Sequence, residues 1–253
     1  MKIYNAFGIT PTNTYVSAGT DYYIPNIKTE KQKELAIEAF QKSYKVSKED
    51  IDDMIKFIDR YINSNEDQIN IIHLYLAYHN NILEEKKNES IIEGLKYFIN
   101  NFLTYDGVND LWGIQPTLND TLFINSGIKV ALDTVISDKF EDAGLSTLSA
   151  IRSLGIGVAG LYVNKSGMGN KGYDVRACLV DEDYSGYVHL SMAFTKDTEN
   201  VNKNIYCGDK LTQMMLIPVF HTEYVEISEE EYNDIMSKSN RGDSAFGSSD
   251  IKH

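Results

Sequence analysis

The segment LVDEDYSG, residues 179–186, joins two stretches that have the composition of β-strands. YDVRAC (173–178) precedes it and YVHLSMAF (187–194) follows it. Aromatic and β-branched residues are enriched in strands, whereas acidic residues, serine and glycine favour the turns between them. The sequence therefore predicts a strand, a turn that carries Asp181 and Tyr184, and a second strand.

Further strand-like runs lie on both sides of this segment. Residues 1–28 combine β-forming aromatic residues with glycine and proline, a pattern of short strands and turns. Apolar runs typical of strands follow at 121–124, 128–132, 158–163 and 211–220. Residues 137–155 are predicted to form a short helix between two of these runs. The prediction for most of the chain is thus a β fold.

A helical composition interrupts this pattern. Residues 29–104 contain one glycine and no proline, while Lys, Glu, Ile and Leu are frequent. Ser47 and Asp50 resemble a capping box at the start of an apolar helical face. We expect roughly four helices, with the aromatic residues of this stretch used for packing. A connection of this length needs secondary structure of its own.

Composition excludes several classes of protein. The chain has 253 residues and a net charge of −13, from 37 acidic and 24 basic side chains. Broad binding of nucleic acid is therefore not expected, although a small basic site for a phosphorylated molecule is compatible with this charge. Two cysteines do not make a disulfide framework. Neither a signal peptide nor a run of about 20 apolar residues is present, so we expect a cytoplasmic protein without membrane contact.

Five short segments carry residue types suited to phosphate chemistry. Each has an ordinary explanation when taken singly, as a surface turn, an acidic turn or a hairpin. Their order along the chain is more informative than any one of them. They are SAGTDY (17–22), NKSGMGNKG (164–172), LVDEDYSG (179–186), GDKLTQ (208–213) and RGDSAFGSS (241–249).

In this order the segments resemble the five motifs of the trimeric dUTPase family, AGxDL, RSG, GxIDxDYxG, GDRxAQ and RGxGGFGS. The resemblance implies a mainly β protein, a distorted jelly-roll barrel that forms a homotrimer, with an inserted α-helical subdomain. The implied division is a β core of residues 1–28 and 113–253, a helical insertion at 29–112, and a flexible C-terminal arm at 240–253 that closes the active site. It also implies a phage-like or bacterial enzyme, located in the cytoplasm of a bacterium or a phage-infected host cell.

The family's activity is hydrolysis of dUTP to dUMP and pyrophosphate. By resemblance, Asp181 is the general base that activates the water attacking the α-phosphate. Tyr184 lies against the deoxyribose and excludes a 2′-hydroxyl, and backbone groups of the 173–183 hairpin read the uracil edge. The phosphate chain is contacted by three residues of the second segment and one of the fourth: Lys165, Ser166, Gly167 and Gln213.

The resemblance also implies a metal ion and a closing arm. Mg²⁺ bridges the three phosphates, and Asp21 acts on it through water from the second coordination shell. A turn-capping role is the alternative for Asp21. In the arm, Phe246 stacks on uracil while other side chains hold the terminal phosphate. The substrate-binding residues expected there are Arg241, Phe246, Gly247, Ser248 and Ser249.

Some positions depart from the family pattern, and other functions remain open. Asn164 and Lys165 stand where proline and arginine are usual, Ser185 stands where arginine is usual, and Ser244-Ala245 replaces two glycines. The related dCTP deaminase family is an enzymatic alternative, which the Lys-Ser-Gly segment fits less well. A regulatory protein that binds a protein partner through the helical insertion is the alternative outside enzymology.

Overall fold

The computed structural model describes residues 1–13, 19–62, 67–83, 85–86, 90–132, 155–196 and 201–237. The helix predicted at 137–155 lies outside these residues, apart from residue 155. The arm predicted at 240–253 also lies outside them. The chain divides into a compact unit, Met1–Phe220, and a second unit that begins at His221.

The first unit contains strands paired in antiparallel sheets. The strand-like runs predicted from sequence all form strands, so the expected β fold is confirmed. The strands are β1 (Lys2–Asn5), β2 (Thr20–Tyr23), β3 (Leu103–Asp106), β4 (Leu111–Ile114), β5 (Thr121–Asn125), β6 (Ile128–Ala131), β7 (Ile156–Asn164), β8 (Tyr173–Ala177), β9 (Leu179–Val180), β10 (His189–Phe194), β11 (Ile205–Tyr206) and β12 (Lys210–Phe220). The sheet orders are β1-β6, β5-β10-β8, β11-β4-β3 and β2-β12-β7-β9.

Helices fill the chain between β2 and β3, as predicted. They are α1 (Glu30–Tyr44), α2 (Lys48–Tyr61), α3 (Gln68–Tyr78), a 3₁₀ turn (His79–Asn81) and α4 (Ile91–Asn101). The Ser47 hydroxyl accepts from the Asp50 backbone N–H at 3.0 Å, and the Asp50 carboxylate accepts from the Ser47 N–H at 3.0 Å. This confirms the predicted capping box, which satisfies backbone donors that a helix start leaves free.

Helix α3 joins the helical segment to the sheets. Its sequence, QINIIHLYLAY, is apolar on all sides, and every residue from Ile69 to Tyr78 is buried. A helix without a polar face must be covered all round. The Asn70 side chain secures it by accepting from the Ile27 N–H at 2.9 Å and donating to the Ile27 carbonyl at 3.1 Å. The helices and the strands therefore share one hydrophobic core.

Three elements were not predicted. The hairpin of β3 and β4 lies inside the stretch expected to be helical, where Asp106 and the following Gly107 supply turn residues. Helix α5 (Ser166–Asn170) follows β7, and α6 (Glu229–Met236) lies in the second unit. The start of α6 could have been predicted from the sequence, because Ser228 is a favoured N-cap residue and acidic residues fill the first turn. In the structure the Ser228 hydroxyl accepts from the Glu231 backbone N–H.

His73 of α3 is completely buried among aromatic rings. Its imidazole stacks on Phe40 with ring centroids 5.3 Å apart and an angle of 8°, and the edge of Phe7 lies 6.2 Å away. Burial lowers the pKa of His73 to about 3, because the charged form loses its hydration. His73 is therefore neutral in the folded protein at neutral pH.

Acid should destabilise the fold through His73. The unfolded chain, with a histidine pKa of about 6.5, binds more protons than the folded chain between pH 6.5 and pH 3. Stability is complete above this window and falls as the pH decreases through it, by about 2 kcal/mol between pH 7 and pH 5. Urea unfolding of the wild type and His73→Gln at both pH values measures this difference. Equal pH dependence in the two proteins would contradict the prediction.

Candidate active site

The four-stranded sheet β2-β12-β7-β9 brings several of the predicted segments together. Gln213 of β12 pairs with Asp21 of β2 on one side and with Val163 of β7 on the other. Lys165 follows Val163 by two residues, just beyond the end of β7. The first, second and fourth segments therefore meet at one end of this sheet.

Asp21 is held there by two lysines. Its carboxylate accepts from Lys165 Nζ at 2.5 Å and lies 3.1 Å from Lys210 Nζ, and only 9% of the residue is exposed. Burial, the largest influence, raises the pKa of Asp21, but the combined hydrogen bonds and charges of the two lysines leave it below the ordinary value. Asp21 lies within β2, so it does not cap a turn. Its role towards a metal ion stays a prediction.

Gly19 permits the close approach of β2 to β12. A Cβ atom at this position would lie 2.8 Å from Gln213 Cγ and 2.8 Å from the Met214 carbonyl oxygen. The second of these neighbours is backbone and cannot move aside easily. A glycine is therefore required sterically in the first segment, next to Asp21 and Gln213.

The second segment forms an open surface beside Asp21. This surface, with Lys165, Ser166 and Gly167, is called the rim below. Asn164, which stands where the family has proline, donates to Asp174 at 2.9 Å and accepts from the Val175 N–H at 2.7 Å. These bonds tie the end of β7 to β8. Ser166 and Gly167 are exposed, and no described atom lies within 4 Å of a Cβ built at Gly167. This open space is available to a ligand.

The third segment forms a tight turn at the edge of a surface depression, called the Asp181 depression below. The Tyr184 N–H donates to the Asp181 carbonyl at 3.2 Å, and the Tyr184 hydroxyl donates to the Tyr187 carbonyl at 2.8 Å. A side chain at Gly186 would collide with this hydroxyl, because its Cβ would lie 2.4 Å away. Asp181 is exposed to solvent. The depression has a volume of about 270 Å³, and its lining includes Phe123, Leu179, Asp181, Tyr184, Val188 and His189.

Asp181 is far from Lys165 within one chain. Strand β9 pairs with β7 so that Val180 faces Gly160 and Leu179 faces Leu161. Continuing this register by one residue places Asp181 beside Ala159. Six residues separate Ala159 from Lys165, or roughly 20 Å at 3.3 Å per residue. The structure thus brings Asp21, Lys165 and Gln213 together and Asp181 and Tyr184 together, but keeps the two groups apart.

The remaining site predictions have no geometry in this structure. Arg241, Phe246, Gly247, Ser248 and Ser249 lie outside the described residues. Within the described part of the chain, no three His, Cys, Asp or Glu side chains are grouped as metal ligands. The helices described there include none that is long and apolar enough to cross a membrane.

Comparison with known proteins identifies the family of the C-terminal half. Residues 126–250 match the dUTPase family model. This part of the chain belongs to the dUTPase family. The match includes four of the five segments noted in the sequence, with only SAGTDY outside it. The predicted membership of the dUTPase family is therefore confirmed for this part of the chain.

Individual relatives agree with this assignment over a limited length. The deoxyuridine 5′-triphosphate nucleotidohydrolase of vaccinia virus (strain Copenhagen) is 30% identical over 94 residues, which are 37% of this chain and 57% of the viral protein. The protein of the same name from Gamma-proteobacterium EBAC31A08 is 32% identical over 98 residues, or 38% of this chain and 64% of that protein. The chain thus spans less than two thirds of the length of these relatives.

A solved structure, the Staphylococcus bacteriophage 80alpha dUTPase with dUPNHPP, aligns with 60% of this chain and 92% of its own. The two share 16% identity, and the TM-score is 0.38, too low to establish a common overall shape.

Three residues of the candidate site were missed from the sequence. Lys210 occupies the position of the arginine in the dUTPase GDRxAQ motif, and this correspondence could have revealed it. Phe123 and His189 lie in ordinary strand sequence without a motif. Only the pairing of β5 with β10, which places Phe123 opposite Ser191 and near His189, brings these two rings together.

The Asp21→Asn substitution should destabilise the folded protein. It would leave two neighbouring lysine ammonium groups without a counterion, and we expect a loss of about 1–3 kcal/mol in the free energy of unfolding. Asp53→Asn is a matched control, because the Asp53–Lys56 pair on α2 is exposed and its loss should change stability little. Urea unfolding of both variants measures the difference. A similar stability for Asp21→Asn and Asp53→Asn would show that the lysine pair contributes nothing.

Proposed function

We propose that the protein is a dUTP diphosphatase that hydrolyses dUTP to dUMP and pyrophosphate. The observation that carries this proposal is the dUTPase-family match of residues 126–250. The described part of that match supports it with an open rim at Ser166 and Gly167 and a depression of about 270 Å³ beside Asp181 and Tyr184. The sequence gives only the order of the segments. That the charged rim and the depression lie apart is visible only in the structure.

Asp181 is the proposed general base. Its exposed carboxylate can accept a hydrogen bond from a water molecule and take a proton as that water attacks the α-phosphorus. A new phosphorus–oxygen bond forms, the bond to the β-phosphate breaks, and pyrophosphate leaves. Tyr184, fixed by its bond to the Tyr187 carbonyl, forms a wall for the deoxyribose.

The basic rim is proposed to hold the phosphate chain. Lys165 supplies a positive charge that Asp21 positions, and the exposed Ser166 hydroxyl supplies a hydrogen-bond donor. Gly167 leaves room for phosphate oxygens to approach the backbone. Gln213, opposite Asp21 in the sheet, is proposed to contact the same chain. Positioning and neutralisation of charge are what phosphoryl transfer mainly requires.

Mg²⁺ is proposed to enter as part of the substrate, bound to the triphosphate. The donor set agrees with this arrangement, since both Asp21 oxygens are engaged by lysines and no metal-ligand group occurs among the described residues. A hydrated Mg²⁺ needs few protein ligands when phosphates supply the others. Its contribution is to neutralise phosphate charge.

The separation of Asp181 from Lys165 supports an active site that uses more than one chain. We propose a homotrimer in which the rim of one protomer faces the Asp181 depression of another. Exposed apolar residues near the end of β12 support an assembly that would cover them, since Leu216 is 42% and Phe220 is 68% exposed. The arm residues Arg241, Phe246, Gly247, Ser248 and Ser249 are proposed to complete the site, and the helical insertion is proposed as the contact for a protein partner.

The activity can be tested with purified full-length chain, Mg²⁺ and each of dUTP, dCTP, dTTP, dATP and dGTP. We expect release of pyrophosphate from dUTP alone. Asp181→Asn should reduce turnover by about 10²–10⁴-fold, because the positioned base is lost, while dUTP still binds. Asp53→Asn, which removes an exposed carboxylate on α2, is the control and should remain active. Ammonia release from dCTP would instead indicate a deaminase, and binding without turnover would indicate a regulatory protein.

Assembly of the site from separate chains can be tested by complementation. Asp181→Asn and Ser166→Asp are each expected to be inactive, the second because a carboxylate repels the phosphates. Refolding the two variants together should restore about a quarter of wild-type activity, the statistical share of sites that take each segment from an intact protomer. Folding of each variant is checked by circular dichroism. A mixture as inactive as its components would contradict a site shared between chains.

A further inference from the structure

The Asp181 depression contains a histidine with an unused nitrogen. His189, the first residue of β10, lines this depression together with Asp181 and Tyr184. Its Nε2 atom is buried and has no hydrogen-bond partner among the residues that the structure describes. Buried polar atoms are normally satisfied, so an unpaired one in a depression indicates that a ligand supplies the partner.

The protonation state and the tautomer of His189 determine which kind of group can be that partner. Burial, the largest influence, lowers the pKa of His189, whereas a hydrogen bond to the Tyr187 backbone raises it. The ring is therefore neutral near pH 7. Because Nε2 has no partner, the bond to Tyr187 belongs to Nδ1, which donates to the carbonyl. Nε2 then carries the lone pair and can only accept a hydrogen bond.

Two aromatic residues hold the imidazole in place. Phe123 of β5 stacks on it with centroids 4.4 Å apart and an angle of 6°. Tyr44, the last residue of α1, approaches edge-on at 6.2 Å and 88°. The Tyr44 hydroxyl also donates to the Phe123 carbonyl at 3.0 Å and accepts from the Asn125 N–H at 3.0 Å. The helical segment thereby supports the wall of the Asp181 depression.

We propose that His189 Nε2 accepts a hydrogen bond from an N–H or O–H group of the pyrimidine nucleoside bound in this depression, with Tyr44 as a positioning residue. This inference rests on the proposed function, which it deepens. Two donors of deoxyuridine fit, the N3–H of the base and the 3′-hydroxyl of the sugar. An acceptor at Nε2 would repel the unprotonated N3 of cytosine, so contact with the base would also contribute to specificity.

Kinetics of His189 variants test the hydrogen bond. His189→Phe keeps an aromatic ring against Phe123 but removes the acceptor, and His189→Leu, which also lacks an acceptor, is a second variant in case phenylalanine disturbs folding. We expect a decrease in kcat/KM for dUTP of roughly 10-fold to 100-fold, mainly through KM, the size expected for one buried hydrogen bond. His221→Phe changes an exposed histidine of the second unit and should leave kcat/KM unaltered. Unchanged kcat/KM in both folded His189 variants would overturn the proposal.

Two analogues distinguish the donors. N3-methyl-dUTP lacks the base N–H, and 2′,3′-dideoxyuridine triphosphate lacks the sugar hydroxyl. The analogue without the contacted donor should be used equally by the wild type and His189→Phe, whereas the other analogue should still distinguish them. If His189→Phe weakens dUTP and both analogues by the same factor, no donor of the nucleoside meets Nε2 and the proposal fails.

Nuclear magnetic resonance of ¹⁵N-labelled protein provides a readout independent of hydrolysis. Addition of the non-hydrolysable α,β-imido analogue of dUTP should shift the Nε2 resonance of His189 towards the value of a hydrogen-bonded nitrogen. Tyr44→Phe should reduce this shift and raise KM, whereas Tyr61→Phe on α2, where the hydroxyl meets only Asn100 among the described contacts, should do neither. An Nε2 resonance that does not respond to the analogue overturns the inference even if dUTP is hydrolysed. A response in a protein that does not hydrolyse dUTP refutes the proposed activity and leaves the hydrogen bond standing.

Discussion

The pairing of β12 with both β2 and β7 is the constraint on which the candidate site depends. Nine successive residues of β12 pair with β7, from Thr212 opposite Asn164 to Phe220 opposite Ile156. Because a slip of one residue would turn every side chain to the opposite face, the buried Thr212 and Met214, which share a face, fix this register. The pairing of β12 with β2 sets Gln213 beside Asp21, and the pairing of β7 with β9 separates Lys165 from Asp181. Strand β7 therefore lies between β12, which carries Gln213 of the rim, and β9, which leads to Asp181.

The helical segment is more than an appendage to this sheet. Helix α3 is buried on all sides, and Tyr44 of α1 reaches the backbone of β5 next to the Asp181 depression. A segment attached only as an outer docking surface would not need to insert aromatic side chains behind a ligand-sized space. The contacts of Tyr44 join packing of the helical segment to the geometry of the Asp181 depression.

Much of this architecture could be read from the sequence, and the reasons for the failures are physical. Strands β5, β6, β7 and β12 and the Ser47 capping box follow from local composition, and motif order identified the family. The β3–β4 hairpin was missed because its pairing with β11, which contains Ile205, is a long-range contact. His189 was missed because its importance arises from rings contributed by β5 and α1. The separation of Asp181 from Lys165 required the strand register, which no motif encodes.

The ion pairs of Asp21 reduce the electrostatic attraction between the rim and an anionic ligand. One carboxylate already balances one of its two lysines, and the molecule as a whole carries a net charge of −13. Long-range electrostatic attraction therefore contributes little to the binding of an anion at such a site, in contrast to a site with a large excess of basic residues. Added salt, which usually slows the encounter of an anion with its enzyme, would here screen repulsion from the rest of the molecule. Binding of an anion at this rim would thus depend on short-range contacts and not on long-range attraction.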